Sequence, residues 1–382
     1  MRKKSSWSSL IEKFQLRLSS WKASSLFAAG RITLCKTVLG SLGIYLISLY
    51  KAPSSILNQL ESLRSKFIWG GYKDKKKLTM ISWKDVIASK DQGGLQVGSL
   101  KSFNLALLTK WWWRLKTNDH SLWAEVIRSF HGYKRNLVVD PLLSKKAGIW
   151  GSISKIHKDM VVLQVNLPAA FHRKSPPGQT DTWRWSLEPS GYYSVSSLRK
   201  KLDSILLHND RNLKTSWLKI VPSKVNIAVW KIQHRRLPTF SNLARRGIIP
   251  EVKTCPLCSL EPETEDHLLM GCPFSQSLLR EIGSWWSLNI PAGPIESLLN
   301  WGVNSNFKGV KLEVFMSIIY TFCWLIWKAR NEVIHGGENV PIHRILLHLQ
   351  GLPYFWLHHR GDHNFNFSWQ SWCSFPHFIF PL

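Results

Sequence analysis

Apolar positions recur every three or four residues along most of this chain, a period that predicts helices. Leu10, Ile11, Phe14, Leu18 and Trp21 share one side of a first helix in a helical stretch over 6–50, with Gly30, Gly40 and Gly43 as punctuation. Ile56, Leu57, Leu60, Leu63 and Phe67 predict a helix from Ser54 to Trp69, stopped by Gly70-Gly71. Gly93-Gly94 reads as a turn, and Leu100 to Leu115 as another helix. Inside it, Trp111-Trp112-Trp113 sit about 100° apart around the axis and cannot share a face. Packing between layers is the expected fate of three such indoles, ahead of base stacking.

The period changes to two at Thr182–Leu187. With a turn at Glu188–Gly191 and a short run at Tyr192–Val195, this predicts a β-hairpin. Ser196-Ser197 are then expected to cap a helix reaching about Leu207. The stretch 136–178 holds Pro168, Pro176, Pro177 and Gly178 and reads as a linker with short helices. Proline is tolerated in a first helical turn, so a helix begins at Pro222, with Val225, Ala228, Val229 and Ile232 as its apolar stripe. Thr239 caps a further short helix that Gly247 ends. Helices are expected at 275–286 and 312–334, the second buried. Its uncharged run, Val314 to Trp327, is too short to span a bilayer alone. The expected class is mainly α with a small β-hairpin.

A chain of 382 residues with 44% apolar content can bury a core and has room for two or three domains. Its net charge of +27 sharpens the picture because it is unevenly spread. Residues 1–250 hold 43 Lys+Arg against 13 Asp+Glu, and residues 251–382 hold 8 against 11. A basic region of this size points to an anionic polymer, RNA or DNA, as partner. A membrane surface calls for a basic amphipathic helix or a lipid anchor, and neither is evident; a merely solvated surface is the bland alternative. The run Lys73–Lys77 reads as a solvated loop. No signal peptide is visible after Met1-Arg-Lys-Lys, and reduced cysteines fit an intracellular compartment, nuclear or cytoplasmic.

The chemistry concentrates in Cys255, Cys258, His267 and Cys272. Thiolate and imidazole are zinc's preferred ligands, and four of them close a tetrahedral structural site with no position for reactive water. The Cys-x-x-Cys gap lets both thiolates enter one turn. Thr264 is positioned to cap a helix that carries His267, with Cys272 just beyond its end. A redox pair is the rival reading, but it needs a strand before the motif and Arg245–Pro250 reads as a helix end and turn; buried cysteines beside a satisfied histidine are the other. Cys35, Cys323 and Cys373 are expected in the core. On the helix before the motif Lys224, Lys231 and Arg235 fall on the polar side, and Arg236, Arg245 and Arg246 follow. They are the candidate nucleic-acid contacts. There is no Gly-rich phosphate loop, no His-Glu-x-x-His and no adjacent pair of aspartates, so no catalytic residue is assigned.

Val221-Pro-Ser-Lys-Val-Asn-Ile-Ala-Val-Trp230, Arg236-Leu-Pro-Thr239, Asn242-Leu243, Arg246-Gly247 and Cys255-Pro-Leu-Cys258…His267-Leu268…Cys272 together resemble the reverse-transcriptase zinc-binding domain of plant non-LTR (LINE-type) retrotransposon polyproteins. Upstream, Leu18-Ser-Ser-Trp-Lys22, Ala29-Gly-Arg31, Phe67-Ile-Trp-Gly-Gly71, Gly93-Gly-Leu95 and Lys110-Trp-Trp-Trp-Arg114 are similar to the segment after the polymerase palm. Trp327-Lys-Ala-Arg-Asn-Glu332 resembles the tail after the zinc domain. The resemblance implies a thumb-like helical region over 1–135, a linker over 136–178, the zinc domain over 180–275 and a helical tail over 276–382. It implies RNA-directed DNA polymerase activity for the parent family, while the palm that holds the polymerase metals is not found in this chain. The expected function is a zinc-stabilised nucleic-acid-binding fragment, possible partners including the rest of a polyprotein. The alternative is a relic or a protein-interaction module.

Overall fold

The computed structural model describes residues 4–18, 25–71, 78–117, 121–131, 149–174, 182–207, 215–301, 307–337, 339–361, 367–374 and 376–380. The loop at 73–77, the motif residues 19–22 and the linker portions 136–148 and 175–178 lie outside them. The chain forms two compact units, Met1–Lys214 and Thr215–Leu382. Among the described residues it is mainly helical, with one two-stranded antiparallel sheet.

In the first unit, α1 (Ser54–Ile68) and α2 (Leu100–Thr117) are the main helices, and Gly70 leaves the end of α1 in a left-handed conformation (φ 72°) that glycine adopts freely. The three indoles of α2 do face three ways. Trp111 donates to Ser48 O (2.7 Å) and meets Trp123, Trp112 donates to Ile153 O (3.0 Å) and meets Trp150, and Trp113 stacks on Phe171. Buried Asn104 sits about two turns earlier. It donates to Ile47 O and Tyr50 O and accepts from Ala52 N–H, tying the end of helix Ile44–Leu49 to α2.

The hairpin differs from expectation. β2 (Thr182–Trp185) forms as predicted, but its partner is β1 (Phe171–Lys174), with Phe171 opposite Trp185 and Lys174 opposite Thr182. Tyr192–Val195 is not a strand. The turn at Glu188–Gly191 closes by Gly191 N–H to Glu188 O and brings Gly191 O back to Trp185 N–H. Ser194, not Ser196-Ser197, then caps α3 (Val195–Leu206) by accepting from Ser197 N–H (3.0 Å). A serine at the first non-helical position satisfies an otherwise orphaned amide, so the helix starts early and consumes Val195. The described part of the expected linker, from Ile149 to Lys174, carries short helices whose Trp150, Ile153, Ile156 and Met160 belong to the same core as Trp112, Trp185 and Leu198.

The second unit is built on α4 (Ser223–Gln233), α5 (Phe240–Ala244), α6 (Pro273–Trp286), α7 (Gly309–Gly336) and α8 (Ile342–Arg360). Pro222 precedes α4, and Val225, Val229 and Ile232 point into a core shared with Phe315, Ile319, Cys323 and Ile326 of α7. Thr239 caps α5 by accepting from Asn242 N–H, and Gly247 follows at φ 78°. α7 is longer than the apolar run alone suggested. By length and composition it could cross a membrane, but most of its apolar window is buried inside this unit. Cys35 and Cys323 are buried as expected, and Cys373 is partly so.

Candidate metal centre

The metal ligands come from a folded-back segment and a wide helical turn. Thr254 and Pro262 form an antiparallel bridge, Cys255 N–H donates to Glu261 O (2.7 Å), and Ser259 N–H donates to Cys255 O (2.7 Å). This closes the Cys255–Cys258 turn so that both sulfurs face the same point. Thr264 caps as predicted, accepting from His267 N–H (3.0 Å). The following turn, His267–Gly271, is a π-helix rather than an α-helix, closed by Cys272 N–H to His267 O (2.6 Å). Five α-helical steps of about 100° would set His267 and Cys272 roughly 140° apart. The wider i to i+5 turn brings them toward the same side.

All four ligand atoms lie within 4.8 Å of one another. Cys255 Sγ is 3.9 Å from Cys272 Sγ, and Cys258 Sγ is 3.3 Å from His267 Nε2. Zinc–sulfur bonds of about 2.3 Å and a zinc–nitrogen bond of about 2.0 Å at tetrahedral angles require roughly 3.8 Å and 3.5 Å. The donor set and its spacing therefore fit zinc. The hydrogen bond between the two buried sulfurs raises the Cys255 thiol pKa and lowers that of Cys272. A cation takes the place of the protons that such thiols otherwise share. Four protein ligands close the site, so its role is structural.

Acidic residues around the ligands were not singled out by sequence reasoning. His267 Nδ1 lies 3.0 Å from Glu261 Oε2, the carboxylate–imidazole contact that turns Nε2 toward a metal. Glu263, fully buried, receives Arg330 of α7 in a two-pronged pair (2.6 and 2.8 Å) and accepts Phe240 N–H at the start of α5 (2.7 Å). Glu265 accepts from Leu237 N–H and Asn242 Nδ2, and burial pushes its carboxyl up to about 7. A signal was present: Glu261, Glu263, Glu265 and Asp266 place four acids in six positions of a chain with 51 cations and 24 anions. Glu261→Ala is expected to weaken zinc binding about tenfold, measured by competition with a chromophoric chelator. Unchanged affinity would remove Glu261 from the site.

The six basic candidates are not equivalent. Arg235 is held by Asp266 (2.7 Å) and by Glu296, so its charge is spent within the unit. Lys224 is exposed, with Nζ 4.7 Å from the Trp324 ring centre. Lys231 and Arg236 are half-buried. Arg245 and Arg246 are exposed at the end of α5, Arg245 reaching Asn242 Oδ1 (3.3 Å).

Fold and site together define a helical protein with a structural Cys3His zinc centre. Residues 193–278 match the family described as zinc-binding in reverse transcriptase. Over 125 residues the chain is 39% identical to a ribonuclease H-like protein of Arabidopsis thaliana, covering 33% of this chain and 20% of that protein. Over 114 residues it is 27% identical to an uncharacterised mitochondrial protein of the same plant, covering 30% of this chain and 74% of that one. The chain thus spans about a fifth of the length of the first relative. Residues 193–278 thus carry a reverse-transcriptase zinc-binding domain, in a chain similar to proteins of a plant over about a third of its length.

Proposed function

We propose that the chain is a nucleic-acid-binding part of a LINE-type reverse transcriptase, in which zinc braces a basic surface. The divisions at 1–135, 136–178, 180–275 and 276–382 belong to this reading. Reverse-transcriptase and ribonuclease H-like kinship supports an interaction with nucleic acid in general terms. The observation that carries it further is local. Residues 215–250 hold seven Lys and Arg and no Asp or Glu. They fold as α4 and α5, and α5 begins on hydrogen bonds to Glu263 of the metal segment (Phe240 N–H and Ser241 Oγ). The zinc segment thereby fixes the helix that presents Arg245 and Arg246. Such cations bind phosphate with little sequence preference. Primer extension by this chain alone is not expected.

The test is fluorescence anisotropy of the full chain with labelled RNA and DNA between about 50 and 200 mM salt. Affinity should fall steeply across that range. The Arg245→Ala/Arg246→Ala pair should reduce the slope of log K against log salt by about two. A flat salt dependence in the parent chain, or an unchanged slope in the variant, would overturn the reading.

A further inference from the structure

α7 is buried on most sides, yet one stripe of it is not: Trp324, Trp327, Lys328, Asn331 and His335, at helical spacing, are half-buried or exposed. Large aromatics on the open side of a core helix need a reason. Trp327 has one within the fold, since the Arg330 guanidinium lies 4.9 Å from its ring centre and 4.9 Å from that of Phe240. Trp324 packs against the same core with part of its ring, and the Lys224 ammonium, on the first turn of α4, lies 4.7 Å from its ring centre. Both indoles line a cavity of about 790 Å³. Cavities of about 300–1,000 Å³ take small organic ligands. Its remaining walls are mostly polar: Lys328 and His335 from α7, Arg344 from α8, and Asn331 and Asn339 as hydrogen-bonding groups, with Gly336 and Val340 beside them. Among the described residues Glu332 is the one acid of the lining, and it is paired with Lys328 (3.3 Å).

We infer that this cleft binds an unpaired nucleotide segment, with a base stacked on the exposed part of Trp324 and Trp327 and the adjoining phosphates on Lys224 and Arg344. Every base has a π-face, so stacking of this kind is tolerant of sequence. That face is accessible in a single strand and hidden in a duplex. The inference rests on the nucleic-acid reading above and gives it a specific site and strand preference. It also separates two kinds of contact in one unit: phosphate contacts at Arg245 and Arg246, and base contacts at Trp324 and Trp327. The asparagines add no strict sequence code, because they can both donate to and accept from base edges.

The experiment uses the full chain and a fluorescein-labelled oligothymidylate of about 12 nucleotides, with a hairpin duplex of equal length as control. The single strand should bind more tightly than the duplex. Trp324→Leu should weaken single-strand binding about tenfold, leaving duplex affinity and the salt slope unchanged, while Trp324→Phe retains most of the affinity. Arg344→Glu, at an exposed position, should weaken single-strand binding with unchanged melting. With 5-iodouracil in the oligonucleotide, photocrosslinks should map to the peptide containing Trp324 or Trp327. Binding by the parent chain with no effect of Trp324→Leu or Arg344→Glu overturns the cleft and leaves the proposed function standing. Absence of any nucleic-acid binding by the parent chain overturns both. Quenching of tryptophan emission by an acidic peptide but not by oligothymidylate, lost in Trp324→Leu, makes the cleft a protein-docking site and overturns the inference.

Discussion

Removal of zinc from the full chain is expected to abolish the cooperative folding of Thr215–Leu382. Two buried sulfurs 3.9 Å apart, a third sulfur and an imidazole are gathered around one point and would hold the ion there. Structural zinc in small domains contributes on the order of 10 kcal/mol at neutral pH. A folded domain has a net stability of only about 5–15 kcal/mol. The loss is therefore comparable to the whole. It also falls on the core itself, because Cys255 and Cys272 pack in the same buried cluster as Val229, Leu268 and Phe315. Trp230 and Trp286, both buried in this unit, supply the readout: their near-ultraviolet circular dichroism and blue-shifted emission should be lost on chelation and return with zinc. Cys258→Ser should behave like the chelated protein. If metal content falls to zero while the melting curve and tryptophan signals stay unchanged, the centre is not a structural zinc site.

The second large effect is expected at Arg330. Its guanidinium is nearly excluded from solvent, meets both oxygens of the fully buried Glu263, and is stacked between Phe240 and Trp327. Arg330→Ala leaves a carboxylate without its counter-charge in the interior, a change that costs about 3–5 kcal/mol. Lysine should rescue little, because an ammonium can neither reproduce the fork nor stack as a plane. Adding Glu263→Gln to Arg330→Met should recover part of the loss, since the amide keeps an acceptor for Phe240 N–H and removes the uncompensated charge. Urea titration of the parent, Arg330→Ala, Arg330→Lys, Arg330→Met and the double variant measures this. Equal midpoints for Arg330→Ala and the parent would show that the pair contributes nothing to stability.

Much of this was legible in the sequence. The apolar period placed α1, α2, α4, α6 and α7, because each buries one face or, for α7, most of its surface. The four metal ligands were legible from residue type and spacing, and so was Thr264 as cap. The partner of β2 was not. Phe171–Lys174 is only four residues long, in a stretch whose prolines dominate its local reading, and what selects it is the packing of Phe171 on Trp185 (5.1 Å). The π-turn at His267–Gly271 was equally hidden, since no single-residue preference separates it from an α-turn of the same length. Arg235 and Arg330 show a third limit. In a sequence a paired arginine looks like any other: the buried Arg330 gives no sign of Glu263, and the half-buried Arg235, a candidate phosphate contact, gives no sign of Asp266 and Glu296.

The position of Arg330 in the chain has a consequence for biosynthesis. All four metal ligands lie between residues 255 and 272, so the loops that gather them are short and their closure is entropically cheap. They leave the ribosome well before α7 is complete. Zinc capture can therefore precede the arrival of the guanidinium that neutralises Glu263, sixty-seven residues after it in the chain. A nascent or truncated chain ending before Arg330 has every metal ligand yet carries an uncompensated acid beside the start of α5. Such a product should bind zinc and still fail the folding test that the complete chain passes. Metal content alone is then a poor measure of whether this domain has matured.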